Sequence, residues 1–175
     1  MISTGVVRKI DDLGRIVIPK EIRKNLGIRD GENLEIIVDG DNIRLTKNNI
    51  INRYLEDTKN LLLTAELLFP GTILITDREK VLFISGKELL NIGDIISSEL
   101  MKMIDGRDIY NDNNILRHVI GNNELIGYFI IYPIIDEGNS LGLIILFDDK
   151  HSIKEYDILA RYLSLLVSKK VDIKW

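Results

Sequence analysis

Apolar and polar positions alternate over the first fifty residues, and the period changes after that. Val6–Ile10 reads as a strand, Asp11–Arg15 as a glycine-containing loop, Ile16–Ile18 as a short apolar strand, and a short helix opens at Pro19. Proline suits the first helical position because its missing N–H would go unpaired there, and Gly27 supplies a stop. Ile22 and Leu26 are four apart and share one helical face, which we assign to a core. Leu34, Ile36 and Val38 fall on one face of a further strand. Asp39-Gly40-Asp41-Asn42 is a hairpin turn, and Ile43 and Leu45 alternate with Arg44 and Thr46 on the way back. Residues 1–50 are therefore expected to form a small domain of four short strands and one short helix. So short a segment buries too little surface to stand alone, and with no cysteine to staple it, oligomerisation is the expected remedy.

Asn48-Asn49 is the joint. From Ile51 the period becomes helical: Ile51, Leu55, Thr58, Leu62, Ala65 and Phe69 recur at alternating steps of three and four. That is coiled-coil spacing over nearly three heptads, and it equally suits a helix packed on its own domain. A linker helix over residues 51–69 can do both; Pro70-Gly71 ends it. Residues 70–175 then alternate strands and helices. Strands are expected at Thr72–Thr76, Val81–Ser85, Leu116–Ile120, Leu125–Ile135 and Leu141–Phe147. Asp94 is expected to cap a helix running to Ile104, with Ile96, Leu100 and Met103 on one face, and 105–114 reads as a loop. Ser152-Ile153-Lys154-Glu155 has the form of a capping box opening the last helix. That helix carries one full stripe (Tyr156, Leu159, Ala160, Leu163, Leu166, Val167) and a second at Ile158, Tyr162 and Leu165, so both sides are expected to be covered. The fold class is α+β in two domains, the second an antiparallel sheet with flanking helices. Its apolar surplus, together with the Ile51–Phe69 seam, predicts that two dimers join into a homotetramer.

Net charge is −4, which argues against nucleic acid until the chain is divided. Residues 1–29 hold seven Lys/Arg against three Asp/Glu, whereas residues 51–175 hold fourteen against nineteen. The basic excess is confined to the N-terminus. The absence of cysteine excludes disulfides and thiolate metal sites and suits a reducing compartment. No signal peptide is visible, and the longest apolar stretches, Tyr128–Ile135 and Leu141–Phe147, fall far short of a membrane span. A soluble, cytoplasmic protein with no membrane partner is expected.

Arg8, Lys9 and Arg15 come from the first strand and loop, and Arg23 and Lys24 from the helix face turned away from the core. Cations recurring from three elements of one compact unit suit phosphates. Each alone has a plainer reading: Arg23 and Lys24 suit the dipole of a helix C-terminus, and Arg8 is an exposed strand position. Asp11 and Asp12 sit among them, either orienting Arg15 or Arg23 by ion pairing or simply forming the turn.

The stretch TGVVRKIDDLGRIVIPKEIRKNLGI, from Thr4 to Ile28, resembles the N-terminal DNA-binding segment of the AbrB family of bacterial transition-state regulators, most strongly from Leu13 to Arg23. The resemblance implies a swapped-hairpin β dimer that binds double-stranded promoter DNA, with Arg8, Arg15, Arg23 and Lys24 as contacts and Lys9 beside them. The family often has two arginines where this chain has Arg23-Lys24. Lysine neutralises a phosphate but makes no bidentate contact to guanine, so base reading at position 24 is weakened. With no long recognition helix in view, readout of DNA shape is expected. The order of elements in residues 70–175 resembles a GAF-like sensory domain. Together the resemblances imply a regulator that activates some sporulation or transition-state genes and represses others. The alternative is an antitoxin-type protein whose similar N-domain binds DNA while its tail neutralises a toxin; the long, apolar, periodic tail counts against it.

The second domain offers little chemistry. Ser85-Gly86-Lys87-Glu88 is no phosphate loop, because the pattern requires glycine at position 81 and Ser/Thr at 88, where the chain has Val81 and Glu88. With only His118 and His151 and no helix-spaced ligand pair, no metal site is expected. Tyr110, Arg117 and His118, in or beside a polar loop, form a candidate pocket for an unknown small-molecule effector; an ordinary strand histidine is the plainer reading. No nucleophile–base–acid set stands out, so neither a cofactor nor enzymatic activity is expected.

Overall fold

The computed structural model describes residues 5–28, 30, 34–47, 50–86 and 90–168. The chain divides into two compact units, Met1–Asn48 and Asn49–Trp175.

The first unit holds helix α1 (Lys20–Asn25) and an antiparallel hairpin of β1 (Leu34–Asp39) and β2 (Asn42–Lys47). Pro19 stands at the N-cap of α1, and Gly27 closes its other end with φ +62. Gly27 N–H donates to Lys24 O at 3.2 Å and Ile28 N–H to Arg23 O at 2.8 Å, so carbonyls that a helix end leaves open are satisfied. In the β1–β2 turn Asp39 faces Asn42, and Gly40 takes the positive φ that the two-residue loop requires.

Two expectations for this unit are corrected. The segments Val6–Ile10 and Ile16–Ile18 are not strands here; β1 and β2 pair with each other and not with these arms. A ladder needs a neighbouring strand, and no strand among the described residues pairs with the arms. Nor does α1 bury the face expected of it: none of its residues is buried, and Leu26 is exposed. The same holds across the unit. None of its described residues is buried, while Val7, Leu13, Val17, Val38 and Ile43 stand mostly in the open. The unit has apolar alternation but no interior of its own.

The second unit runs α2 (Ile50–Glu66), β3 (Thr72–Thr76), β4 (Val81–Ser85), α3 (Ser98–Gly106), β5 (Ile115–Ile120), β6 (Asn123–Asp136), β7 (Asn139–Asp148), and α4 (Asp157–Ser168) after a short 3-10 turn. Its five strands lie in the order β4-β3-β7-β6-β5, every neighbour antiparallel. Helices α2 and α4 cover one face, where Leu62, Ala65, Leu163 and Val167 pack on Ile73, Ile130, Ile144 and Leu146. Helix α3 covers the other, setting Leu100 and Ile104 against Leu74, Phe129, Leu143 and Phe147. Because β7 is buried on both faces, its sequence reads as an unbroken apolar run rather than an alternation. Pro133 interrupts β6 only beyond the stretch paired with β5, where a missing N–H costs no ladder bond.

The Ile51–Phe69 seam lies in this core. Ile51, Thr58, Leu62, Ala65 and Phe69 are buried and Leu55 is half-buried against the same core, so α2 packs on its own domain and the seam leaves little surplus for assembly. The second stripe of α4 does leave one, for Ile158, Tyr162 and Leu165 are 80%, 54% and 51% exposed. It is covered on one side only. Two helix starts also differ. Ser97, not Asp94, caps α3 by accepting from Leu100 N–H at 3.3 Å, while Asp94 accepts from Asn91 N–H in the preceding turn. The box at Ser152 does not form, because the Ser152 hydroxyl is engaged by Asn113 and the chain makes the 3-10 turn Lys154–Tyr156 before α4.

Candidate nucleic-acid interface

The five cations Arg8, Lys9, Arg15, Arg23 and Lys24 all lie in the first unit, on the N-terminal arm, the loop after it and α1. Arg8, Lys9, Arg15 and Lys24 are exposed and Arg23 is half-buried. Arg8 donates from Nη1 to Val7 O at 2.9 Å. The loop is drawn tight around Asp11. Its Oδ1 accepts from Leu13 N–H at 3.0 Å and Arg15 N–H at 2.8 Å, and its Oδ2 accepts from Arg15 Nε–H at 2.8 Å. Asp11 N–H donates to Arg15 O at 3.0 Å and Gly14 N–H, at φ +74, donates to Asp11 O at 2.9 Å. Hydrogen bonds from the Arg15 backbone, then from its side chain, hold the Asp11 carboxyl below its ordinary value. The aspartate is thus both a turn former and an ion-pair partner, the two roles the sequence left open.

Sequence reasoning missed that Arg23 pairs with Asp30, on the far side of the helix stop. The left-handed residue Gly27 turns the chain back so that a position seven residues on returns to Arg23. A glycine stop followed by an acid three residues later was the available signal. In the hairpin, Arg44 lies 3.3 Å from Asp39.

The three residues of the candidate effector pocket do not converge. Arg117 and His118 are successive on β5 and therefore face opposite sides of the sheet. Arg117 is exposed and ion-paired with Glu124 at 3.2 Å, whereas His118 is buried beneath α3, edge-on to Phe129 with ring centroids 4.7 Å apart. Tyr110 bridges to Ile131 through its backbone, and its hydroxyl lies 3.4 Å from Asn114 O. No helix among the described residues is long and apolar enough to cross a membrane.

Comparison with known proteins assigns the two units separately. The profile of the MazE family, described as antidote-toxin recognition and bacterial antitoxin, matches residues 7–51. The profile of the stage V sporulation protein T C-terminal family, described as a transcription factor, matches residues 67–168. The stage V sporulation protein T of Bacillus subtilis (strain 168) is 35% identical over 166 residues, covering 90% of each chain. From the same organism, the transition state regulatory protein AbrB is 57% identical over 47 residues, 27% of this chain and 49% of its own. The putative transition state regulator Abh is 55% identical over 47 residues, 27% and 51% of the two chains. A small unit with a basic N-terminal stretch carrying the arginines, followed by a larger sheet unit matched to a transcription factor, defines a two-part transcription regulator rather than an antitoxin. Within that class the chain belongs to the stage V sporulation protein T family.

Proposed function

We propose that the chain is a homodimer that binds double-stranded promoter DNA through its first unit and regulates sporulation or transition-state genes, activating some and repressing others. The observation that carries this reading is that the first unit gathers a basic excess in residues 1–29 yet has no interior: its apolar side chains are exposed in the single chain. A second copy covers them. Exchange of hairpins between copies, the AbrB-like arrangement, would also give the arms 6–10 and 16–18 strands to pair with. Arg8, Arg15, Arg23 and Lys24 from each subunit, with Lys9 beside them, then form the DNA contact, neutralising phosphates and reading sequence or shape.

The second unit is GAF-like in its order of elements and serves assembly and regulation. The exposed stripe Ile158, Tyr162 and Leu165 supports joining of dimers into a homotetramer, which would tether two DNA-binding heads and raise affinity for paired sites. An unknown small-molecule effector would act on this unit only by binding DNA-competent and incompetent forms unequally. The test is selection of duplexes from a random pool by the full-length protein, followed by light scattering of the free protein. Failure to enrich any duplex sinks the regulator reading, and a dimer at high concentration removes the tetramer.

A further inference from the structure

We propose that Asp11 is a positioning residue: it fixes the Arg15 guanidinium for contact with DNA, and so strengthens specific binding although its own charge opposes DNA. The inference rests on the DNA-binding reading above.

An acid set among DNA-contacting cations is an expense unless it does something else. An exposed pair such as Asp11–Arg15 ordinarily contributes little, because two mobile side chains must be held in one geometry. Asp11 is already tied at several atoms. Its Oδ1 is anchored by the N–H groups of Leu13 and Arg15, and its backbone N–H and C=O are engaged by Arg15 O and Gly14 N–H. Oδ2 therefore presents a fixed acceptor, and Arg15 docks on it through Nε at 2.8 Å. That contact uses one of the five guanidinium donors and sets the plane of the group. The four N–H on Nη1 and Nη2 remain, at the end of a side chain that is 71% exposed. Such an end-on pair matches O6 and N7 of guanine, or two oxygens of one phosphate. A guanidinium already held in one orientation loses less freedom on binding than a free one.

The neighbour supplies the control. Asp12 carries the same charge one residue away, and no hydrogen bond or ion pair ties it to the described residues. If acids in this loop act only by repelling phosphate, Asp11→Asn and Asp12→Asn should behave alike, both tightening binding. Positioning predicts opposite signs. Asparagine keeps an Oδ1 that accepts the two backbone N–H groups, so the turn survives while the charged partner of Nε is lost.

The experiment measures affinities of the full-length protein and its variants for a duplex selected by the wild type and for a random-sequence duplex. Asp11→Asn should weaken binding to the selected duplex about tenfold, with random-duplex binding unchanged or tighter, so that the ratio of the two falls. Asp12→Asn should tighten both and leave the ratio intact. In an Arg15→Ala background, Asp11→Asn should cost nothing further, which separates positioning from any loss of loop shape. Tighter binding of both duplexes by Asp11→Asn, or a loss that persists without Arg15, overturns the proposal. A wild type that prefers no duplex overturns the DNA-binding reading beneath it.

Discussion

Nδ1 of His118 lies 3.4 Å from Glu99 Oε2, across the space between β5 and the first turn of α3, yet neither ring nitrogen has a hydrogen-bond partner among the described residues. Two influences oppose each other here. Burial disfavours the imidazolium and the carboxylate favours it; burial is the larger, so the histidine pKa is held below its ordinary 6.5. The neutral form is thus the one that fits the fold. Because the folded value is depressed, the unfolded chain takes up the proton more readily. The stability that His118 contributes is complete above about pH 6.5 and is lost as pH falls from there through the folded value. Thermal melts at stepped pH should show an acid-side fall that His118→Leu reduces. An identical pH profile for the two proteins would refute it.

Gly142 leaves no room for a side chain. A Cβ there would run into the backbone carbonyl of Thr76, on the adjacent strand β3, and backbone cannot step aside as a flexible side chain would. Gly142→Ala should cost about 1–3 kcal/mol of stability in urea unfolding of the second unit. A change within error would mean the strands can separate locally at no cost.

Folding of the first unit is expected to be linked to association. A segment of residues 1–50 should melt at progressively lower temperature as it is diluted. A concentration-independent transition would show that one copy closes on itself after all.

The DNA contact is expected to depend steeply on salt. With four cations from each of two subunits on phosphate, the slope of log K against log salt would be about −7. The double variant Arg15→Ala/Arg23→Ala removes four of those contacts from the dimer and should flatten the slope by about 3 to 4. An unchanged slope would place the interface elsewhere.

Assembly beyond the dimer should depend on the outer stripe of α4 rather than on the α2 seam. Ile158→Glu with Leu165→Glu changes exposed positions, and light scattering should report dimers of undiminished thermal stability. Leu62→Ala, on the buried seam, should instead lower stability by about 2–5 kcal/mol without changing the oligomer. The opposite pattern would return the interface to α2.

The second unit is legible in the sequence because its elements complete themselves locally. β3 and β4 stand at Thr72–Thr76 and Val81–Ser85, where the apolar runs predict them, and α4 carries its stripe inward. The arms at Val6–Ile10 and Ile16–Ile18 have the strand pattern too, but a strand is made by its neighbour, and no strand among the described residues pairs with them. At the candidate interface the cations could be read directly. The acids that hold them were harder, since Asp30 reaches Arg23 only after the backbone reverses at Gly27. Arg117 and His118 misled by being adjacent in sequence; on β5 adjacency means opposite faces.

That alternation has a further consequence at the edge of the sheet. β5 is an outermost strand, and on its exposed side Ile115 and Val119 flank Arg117, with Ile126 of β6 opposite it. The Arg117–Glu124 pair is what breaks this apolar strip with charge. It acts as a gatekeeper: without it, an open strand edge bordered by isoleucine and valine would be a template for another chain to add to. An arginine that looked like a ligand contact thus bears on whether the protein stays in solution.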